Sequence, residues 1–377
     1  MMPVTKLDVL CEGAKVGKLA LYKKYLAAFE YDKDWLERGF SISPLKLPLR
    51  EGVFIPKYDP FDGLFGIFAD SLPDGWGRLL VDRMLRRSGA DPDGTNPMTR
   101  LSIVGSSGMG SLEYRPEAEW AASSENYDYD ELALKCEMIL RSTECPEGFD
   151  AVYRMGSSSG GARPKILTRV KGEDWIVKFP STYDPAEIGK MEYEYVQCAG
   201  RCGISIPENA LFPSERCSGY FGMKRFDRII SQGKTGKVHM ASVSALLDVS
   251  HRIPALDYNT LMALTWNLTK NISEMEEMYR RMCFNVFAHN RDDHARNFSF
   301  LFDGGKWKLA PAYDLTYSSS VGGEHATSVN GNGKDPGMKE LTAVGIKAGI
   351  AANRAKETAQ QIEEIVHEDL KTWITTV

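Results

Sequence analysis

The stretch from Ser273 to Asp314 constrains this chain more than any other. Met275, Met278, Tyr279, Met282 and Val286 recur at three- and four-residue spacing, which predicts an amphipathic helix. Ser273-x-x-Glu276 predicts a capping box at its start. The pattern runs directly into HNRDDHARN (289–297). FSFLF, an Asp303-Gly304-Gly305 turn and WKLAPAYD then read as a hairpin. Such a helix, loop and hairpin return the chain on itself. Asp314, at the end of the second strand, can then approach the loop that carries Asp292 and Asn297.

That layout suits phosphoryl transfer. The reaction needs a carboxylate near the acceptor hydroxyl, and oxygen ligands for a magnesium ion that also binds the nucleotide phosphates. Asp292 would serve as the acid–base group, with Asn297 and Asp314 on the metal. The spacing matches H-R-D-x-x-x-x-N followed by a metal-binding aspartate in protein kinases. Alone, D-x-x-x-x-N is also what a polar helix-to-strand turn looks like; the hairpin and Asp314 favour the chemical reading.

Three upstream features agree with it. Lys178 stands in the apolar strand DWIVKFP, where burial is costly without an anion to meet. Strand alternation also permits an outward-facing lysine, although Ile176 would share its face. The Gly/Ser loop MGSSSGGARPK (155–165) precedes the hairpin that carries Lys178, and Gly160 and Gly161 would let backbone N–H groups approach phosphate. It fits neither standard phosphate-loop pattern, and a flexible linker has the same composition. Glu192, on a helix predicted after Pro185, can pair with Lys178, with Glu194 as competitor. MKRFDR (223–228) ends a strand and offers backbone to adenine and Asp227 to ribose; a charged edge strand reads the same way. His294 and Arg296 can reach phosphate, and His294 can equally be a structural histidine.

The remaining sequence sets the frame. Residues 5–25 read as a strand pair. Residues 64–87 are helical in pattern, broken at Pro73-Asp74-Gly75, with Trp76, Leu79, Leu80 and Met84 on one side and Arg83, Arg86 and Arg87 on the other. Residues 100–115 read as a buried strand after a Gly/Ser loop, and Tyr129–Arg141 as a helix. Tyr195, Cys198 and Cys202 mark one face of the helix after Pro185; Leu261, Leu264 and Leu268 mark another helix. A Gly/Asn-rich loop is expected at 322–337 and an amphipathic helix from about 354. In 377 residues, 43% are apolar and 26% charged, a globular balance. The net charge of −5 does not suit a chain whose main affinity is for nucleic acid. There is no long apolar run for a membrane span, and no signal-peptide pattern at the start. Seven cysteines without a CxxC pair read as inert thiols in a reducing cytosol, not as a zinc site.

The order SSSGGARPK, WIVKFP, MEYEY, KRFDR, RDDHARN and APAYD resembles the HipA-like kinases, Ser/Thr protein kinases of bacterial toxin–antitoxin systems. GAKVGKLA, SLPDGWGR and GSSGMGSLEY also resemble the N-terminal portion of that family, so the likeness covers most of the chain. It implies an α+β, two-lobed kinase-like fold: an N-terminal mixed α/β subdomain (1–120), a small lobe (121–230) and a helical large lobe (231–377). It implies ATP and Mg2+ as cofactors, Asp292 as catalytic residue, and Asn297 and Asp314 as metal ligands. ATP would be held by Lys178, Ser158, Gly160, Gly161, Ala162, Lys224, Phe226, Asp227 and His294, with Glu192 paired to Lys178. A loop serine would be autophosphorylated to silence the enzyme; Ser158 aligns best, with Ser157 and Ser159 adjacent. Implied partners are a HipB-like helix-turn-helix antitoxin, operator DNA through that antitoxin, and a protein substrate of the aminoacyl-tRNA synthetase or translation-factor kind, all in the cytoplasm. HMASVSALL (239–247) departs from the family's pattern, and Asp293 replaces a small residue of some members. A small-molecule kinase and a nucleotide-binding corepressor without turnover are the competing readings.

Overall fold

In the computed structural model, the described residues are 3–117, 128–231 and 234–374. The expected boundary near 120 lies outside them. The chain forms two compact units: residues 1–189, 210–241 and 245–248 make the first, and 190–209, 242–244 and 249–377 the second.

The first unit opens with β1 (Lys6–Cys11), β2 (Ala14–Tyr22), β3 (Leu26–Tyr31), α1 (Lys33–Arg38) and β4 (Val53–Phe54). These strands and β5 (Leu112–Arg115) build an antiparallel sheet in the order β4-β3-β2-β1-β5. Alternation puts Leu7, Val9, Leu19 and Phe29 in the core. Between β4 and β5 lie α2 (Gly66–Ala69), α3 (Gly75–Arg87) and α4 (Pro97–Val104). Residues 97–104 are thus a helix, and only 112–115 form the strand expected in that stretch. Asn96 explains this: its side chain accepts from the Thr99 N–H at 2.8 Å, and Pro97 sits in the first turn.

Next come α5 (Tyr129–Arg141), α6 (Phe149–Gly156), β6 (Lys165–Val170) and β7 (Glu173–Lys178). With β8 (Asn209–Phe212) and β9 (Tyr220–Lys224) the strands form a sheet in the order β6-β7-β9-β8. Trp76 and Leu80 of α3 share one core with Phe149 of α6, Val177 of β7 and Tyr220 of β9. Arg83 is not on a solvent face as expected. It is buried and donates to the carbonyls of Ile139 and Ser142, satisfying the open end of α5. The short ribbon β10 (Arg228–Ser231) and β11 (Lys234–Lys237) and the strand β12 (His239–Ser242) follow.

The second unit is mostly helical, as expected. It contains α7 (Ile188–Arg201) from Lys190 onward, α9 (Tyr258–Thr269), α10 (Ile272–Phe287), α11 (Met338–Lys347) and α12 (Ala352–Ile374); the short α8 (Val243–Leu247) divides between the units. Its strands are β13 (Leu256–Asp257), the hairpin β14 (Ser299–Asp303) and β15 (Lys306–Leu309), and the hairpin β16 (Glu324–Val329) and β17 (Asn332–Lys334). Two expectations change. The α10 cap is Asn271, whose side chain accepts from the Ser273 N–H, because α9 ends at Lys270 and the first capping side chain available is taken. Residues 324–334 are a hairpin and not a loop: Asn330 and Gly331 both adopt positive φ, as a tight two-residue turn requires. Among the described residues no helix is long and apolar enough to cross a membrane.

Candidate active site

In the second unit, α10 delivers the chain into residues 289–297. Neighbouring aspartates there have opposite surroundings. Asp293 is buried, and its carboxylate is fully engaged. Oδ2 accepts from the Tyr258 hydroxyl at 2.8 Å and lies 3.1 Å from His325 Nδ1; Oδ1 accepts from the Thr327 N–H at 3.1 Å. Thr327 Oγ1 returns a bond to the Asp293 carbonyl. Asn285 Nδ2 donates to the Tyr258 oxygen, and Asn290 Nδ2 to Asn285 Oδ1. This network ties the loop to α9, α10 and β16. Burial pushes the Tyr258 hydroxyl far up, so it stays a donor.

Asp292 points the other way, with its side chain 64% exposed. The Asn297 amide donates to the Asp292 carbonyl at 2.7 Å, and the Asn297 N–H to the His294 carbonyl at 2.8 Å. The five-residue spacing is therefore a closed loop. Because the Asn297 NH2 is used to close it, Oδ1 is the end of that side chain suited to a cation. His294 Nε2 lies 4.0 Å from Asp292 Oδ1, and the ring meets His251 edge to face, centroids 5.3 Å apart. The strand after the loop is held by Tyr313, whose hydroxyl donates to the Arg296 carbonyl at 2.6 Å. Buried Arg281, paired with Glu277 at 2.9 Å, donates to the Ala310 carbonyl. Asp314 follows, half-buried, with φ 53°. Glu192 is buried on α7.

In the first unit, Lys178 ends β7 opposite Lys165 of β6. Its side chain is buried, with Nζ 5.7 Å from the centre of the Phe221 ring. The Gly/Ser loop leaves α6 at Ser157. Ser158 and Ser159 are buried, and Ser159 Oγ donates to the Gly156 carbonyl at 2.6 Å; Gly160 and Ala162 are exposed. The Gly161 backbone is engaged on both sides: its N–H donates to Asp74 Oδ1, and its carbonyl accepts from the Trp76 N–H at 2.9 Å. The Gly161 N–H, expected to approach a phosphate, meets Asp74 here.

Lys224 pairs with Glu173, the Arg225 N–H donates to the Asp174 carbonyl at 2.8 Å, and Phe226 is half-buried. Asp227, expected near ribose, has other partners here. It is wholly buried, and accepts from Arg225 Nε and Nη2, Arg228 Nη1 and the Gly110 N–H at 2.7–2.9 Å. Burial alone would raise its carboxyl, but the Arg225 and Arg228 guanidiniums hold it below the usual carboxylate range. This cluster staples the 108–110 turn to residues 225–228 around a wholly buried carboxylate. The GSSGMG turn was the signal: glycines beside a distant KRFDR allow close backbone approach.

A family model described as the HipA-like C-terminal domain matches residues 157–370, more than half the chain. The chain belongs to the HipA-like family. The HipA N-terminal domain matches residues 7–115 of this HipA-like chain. "Putative kinase Y4dM" of Sinorhizobium fredii is 23% identical over 97% of this chain and 91% of its own length. A "Putative kinase" of Haemophilus influenzae is 26% identical over 43% of this chain and 53% of its own. The HipA chain in a Shewanella oneidensis complex with HipB and operator DNA shares the fold, with TM-score 0.71 and 17% identity over 98% of this chain and 91% of that one. The α+β fold expected from the sequence is the fold observed, and it is shared with that HipA chain.

Proposed function

We propose that this HipA-like protein is a Mg·ATP-dependent Ser/Thr protein kinase, the toxin of a toxin–antitoxin pair, able to phosphorylate its own Gly/Ser loop. One observation carries the reading most: an exposed Asp292 on a loop locked from below by Asp293 and closed from above by Asn297. Phosphoryl transfer asks for positioning and electrostatics, not a covalent intermediate. A rigid carboxylate at a solvent-facing position meets that need. It would orient the acceptor hydroxyl and take its proton. We assign Lys178, His294 and the loop at Ser158, Gly160 and Ala162 to nucleotide phosphate, and Glu192 to the pairing with Lys178. Backbone at Lys224 and Phe226 would receive adenine.

The donor set fits magnesium: one amide oxygen from Asn297 and one carboxylate from Asp314 are hard ligands of the number this ion takes from protein when phosphates supply others. Bound there, it would neutralise charge on the transferring phosphoryl group. Among the described residues no group of three or more His, Cys, Asp and Glu could hold a metal, so protein ligands alone would not make the site.

The two kinase-named relatives and the HipA–HipB–DNA fold neighbour support the biological frame. What they support is a kinase-type activity and a HipB-like antitoxin, with operator DNA reached through it; the protein substrate and the cytoplasmic setting are part of the proposal alone. The test is titration of the full chain with Mg·ATP by calorimetry. Wild type should bind, and Lys178→Met should weaken binding at least about tenfold, the scale of one charge-assisted contact. Absence of binding by wild type, or equal binding by the variant, would overturn the proposal.

A further inference from the structure

The first unit contains a contact that the kinase reading does not use. The segment Pro73–Gly77, at the start of α3, sits directly against the Gly/Ser loop. Asp74 Oδ1 accepts from the Gly161 N–H, and the Trp76 N–H donates to the Gly161 carbonyl at 2.9 Å. Both backbone polar groups of one residue, on two successive peptide units, are thereby gripped. Trp76 Nε1 adds a bond to the Lys165 carbonyl at 3.1 Å, and Lys165 Nζ donates to the Gly160 carbonyl. Two glycines make the approach possible. A methyl group at Gly75 would run into the Gly161 carbonyl, and one at Gly77 into the Ser159 carbonyl. Gly75 also has φ +43°, and Gly161 φ +84°.

A loop of serines and glycines has many conformations when free, and ordering it upon nucleotide binding would cost affinity. The grip orders it beforehand. We propose that Asp74 is a positioning residue for the nucleotide: together with the first turn of α3 it fixes the Gly/Ser loop in its ATP-receiving shape. The N-terminal portion of the chain thereby sets the affinity of the phosphate loop. The nucleotide part rests on the kinase reading; the grip itself does not.

The experiment uses the full chain and three variants. Asp74→Ala removes the acceptor, Gly77→Ala wedges a methyl group against the loop while favouring the helix, and Asp74→Asn keeps an oxygen that can accept. Hydrogen exchange without nucleotide is read for residues 156–165, with α5 as internal control. Asp74→Ala and Gly77→Ala should speed exchange of the loop about ten- to a hundredfold, the loss expected for a bond to a charged acceptor, with α5 unchanged. Asp74→Asn should recover most of the protection.

With Mg·ATP, Asp74→Ala should raise KM about tenfold while kcat changes less, and Asp74→Asn should restore KM. Unchanged loop exchange in Asp74→Ala would overturn the grip. Faster exchange with unchanged or tighter ATP binding would overturn the positioning role, tighter binding meaning that Asp74 competes with phosphate for the Gly161 N–H. Should wild type itself not bind nucleotide, the kinase reading fails, and the positioning role with it. Exchange would still decide the grip.

Discussion

Replacing Asp293 by alanine should be among the most damaging changes in the second unit, although the neighbouring Asp292 tolerates it. The substitution removes the acceptor for three buried groups: the Tyr258 hydroxyl, His325 and the Thr327 N–H. Each donor left without a partner costs about 1–3 kcal/mol. Tyr258 keeps the bond it accepts from Asn285, which trims the sum. The net loss should be about 3–5 kcal/mol, in the range for breaking a buried charged network. Asp292→Ala removes an exposed carboxylate and should cost at most about 0.5 kcal/mol. Urea unfolding followed by tryptophan fluorescence compares the three proteins, because Trp266, Trp307 and Trp373 all lie in this unit. Losses below about 1 kcal/mol for Asp293→Ala, or equal losses for both variants, would refute the assignment of Asp293 as the anchor of the loop.

Two further predictions concern the first unit. His239 is buried, with Nε2 2.9 Å from the Ile42 carbonyl, and burial lowers its pKa from 6.5 to about 4. Between those values the unfolded chain binds a proton that the folded one refuses, so stability falls as pH falls. The loss from about pH 7.5 to about pH 5 should be roughly 2 kcal/mol by linkage, read from urea midpoints, and His239→Gln should abolish that part of the pH dependence. Asp227→Ala should cost about 3–5 kcal/mol by leaving two buried guanidiniums without their carboxylate. Since the folded Asp227 carboxyl is depressed, its contribution is present above the unfolded value of about 4 and lost as pH drops below it. A wild-type-like unfolding curve for Asp227→Ala at neutral pH would refute the staple.

Much of the fold was legible because its signals are local. The β6–β7 hairpin, α5 and the helix into 289–297 follow from periodicity and turn residues. Misreadings came where two local signals competed or where a partner is distant. Asn271 and Ser273 both cap helices, and only the position of the preceding helix end decides between them. Asn330-Gly331 was a hairpin signal hidden in a Gly-rich stretch.

The candidate site divides in the same way. Asp292 and Asn297 are joined by a five-residue loop that spacing reveals. The role of Asp293 depends on Tyr258, His325 and Thr327, each more than thirty positions away. Asp227 looked like a ribose ligand because its strand position is right, yet Gly108 and Gly110 bring a turn from 117 residues upstream onto it. Asp74 lies 87 residues from the loop it touches, and nothing in PDGWG alone names that partner.

The central claim is tested most directly by following phosphate. Full-length protein, treated with phosphatase and then incubated with Mg·ATP, is measured by intact mass and peptide mapping beside Asp292→Asn. The account predicts a phosphate within Ser157–Ser159 in wild type only, gained slowly because Ser158 and Ser159 must first leave their buried positions. Equal phosphate in Asp292→Asn, or none in either protein, would contradict it.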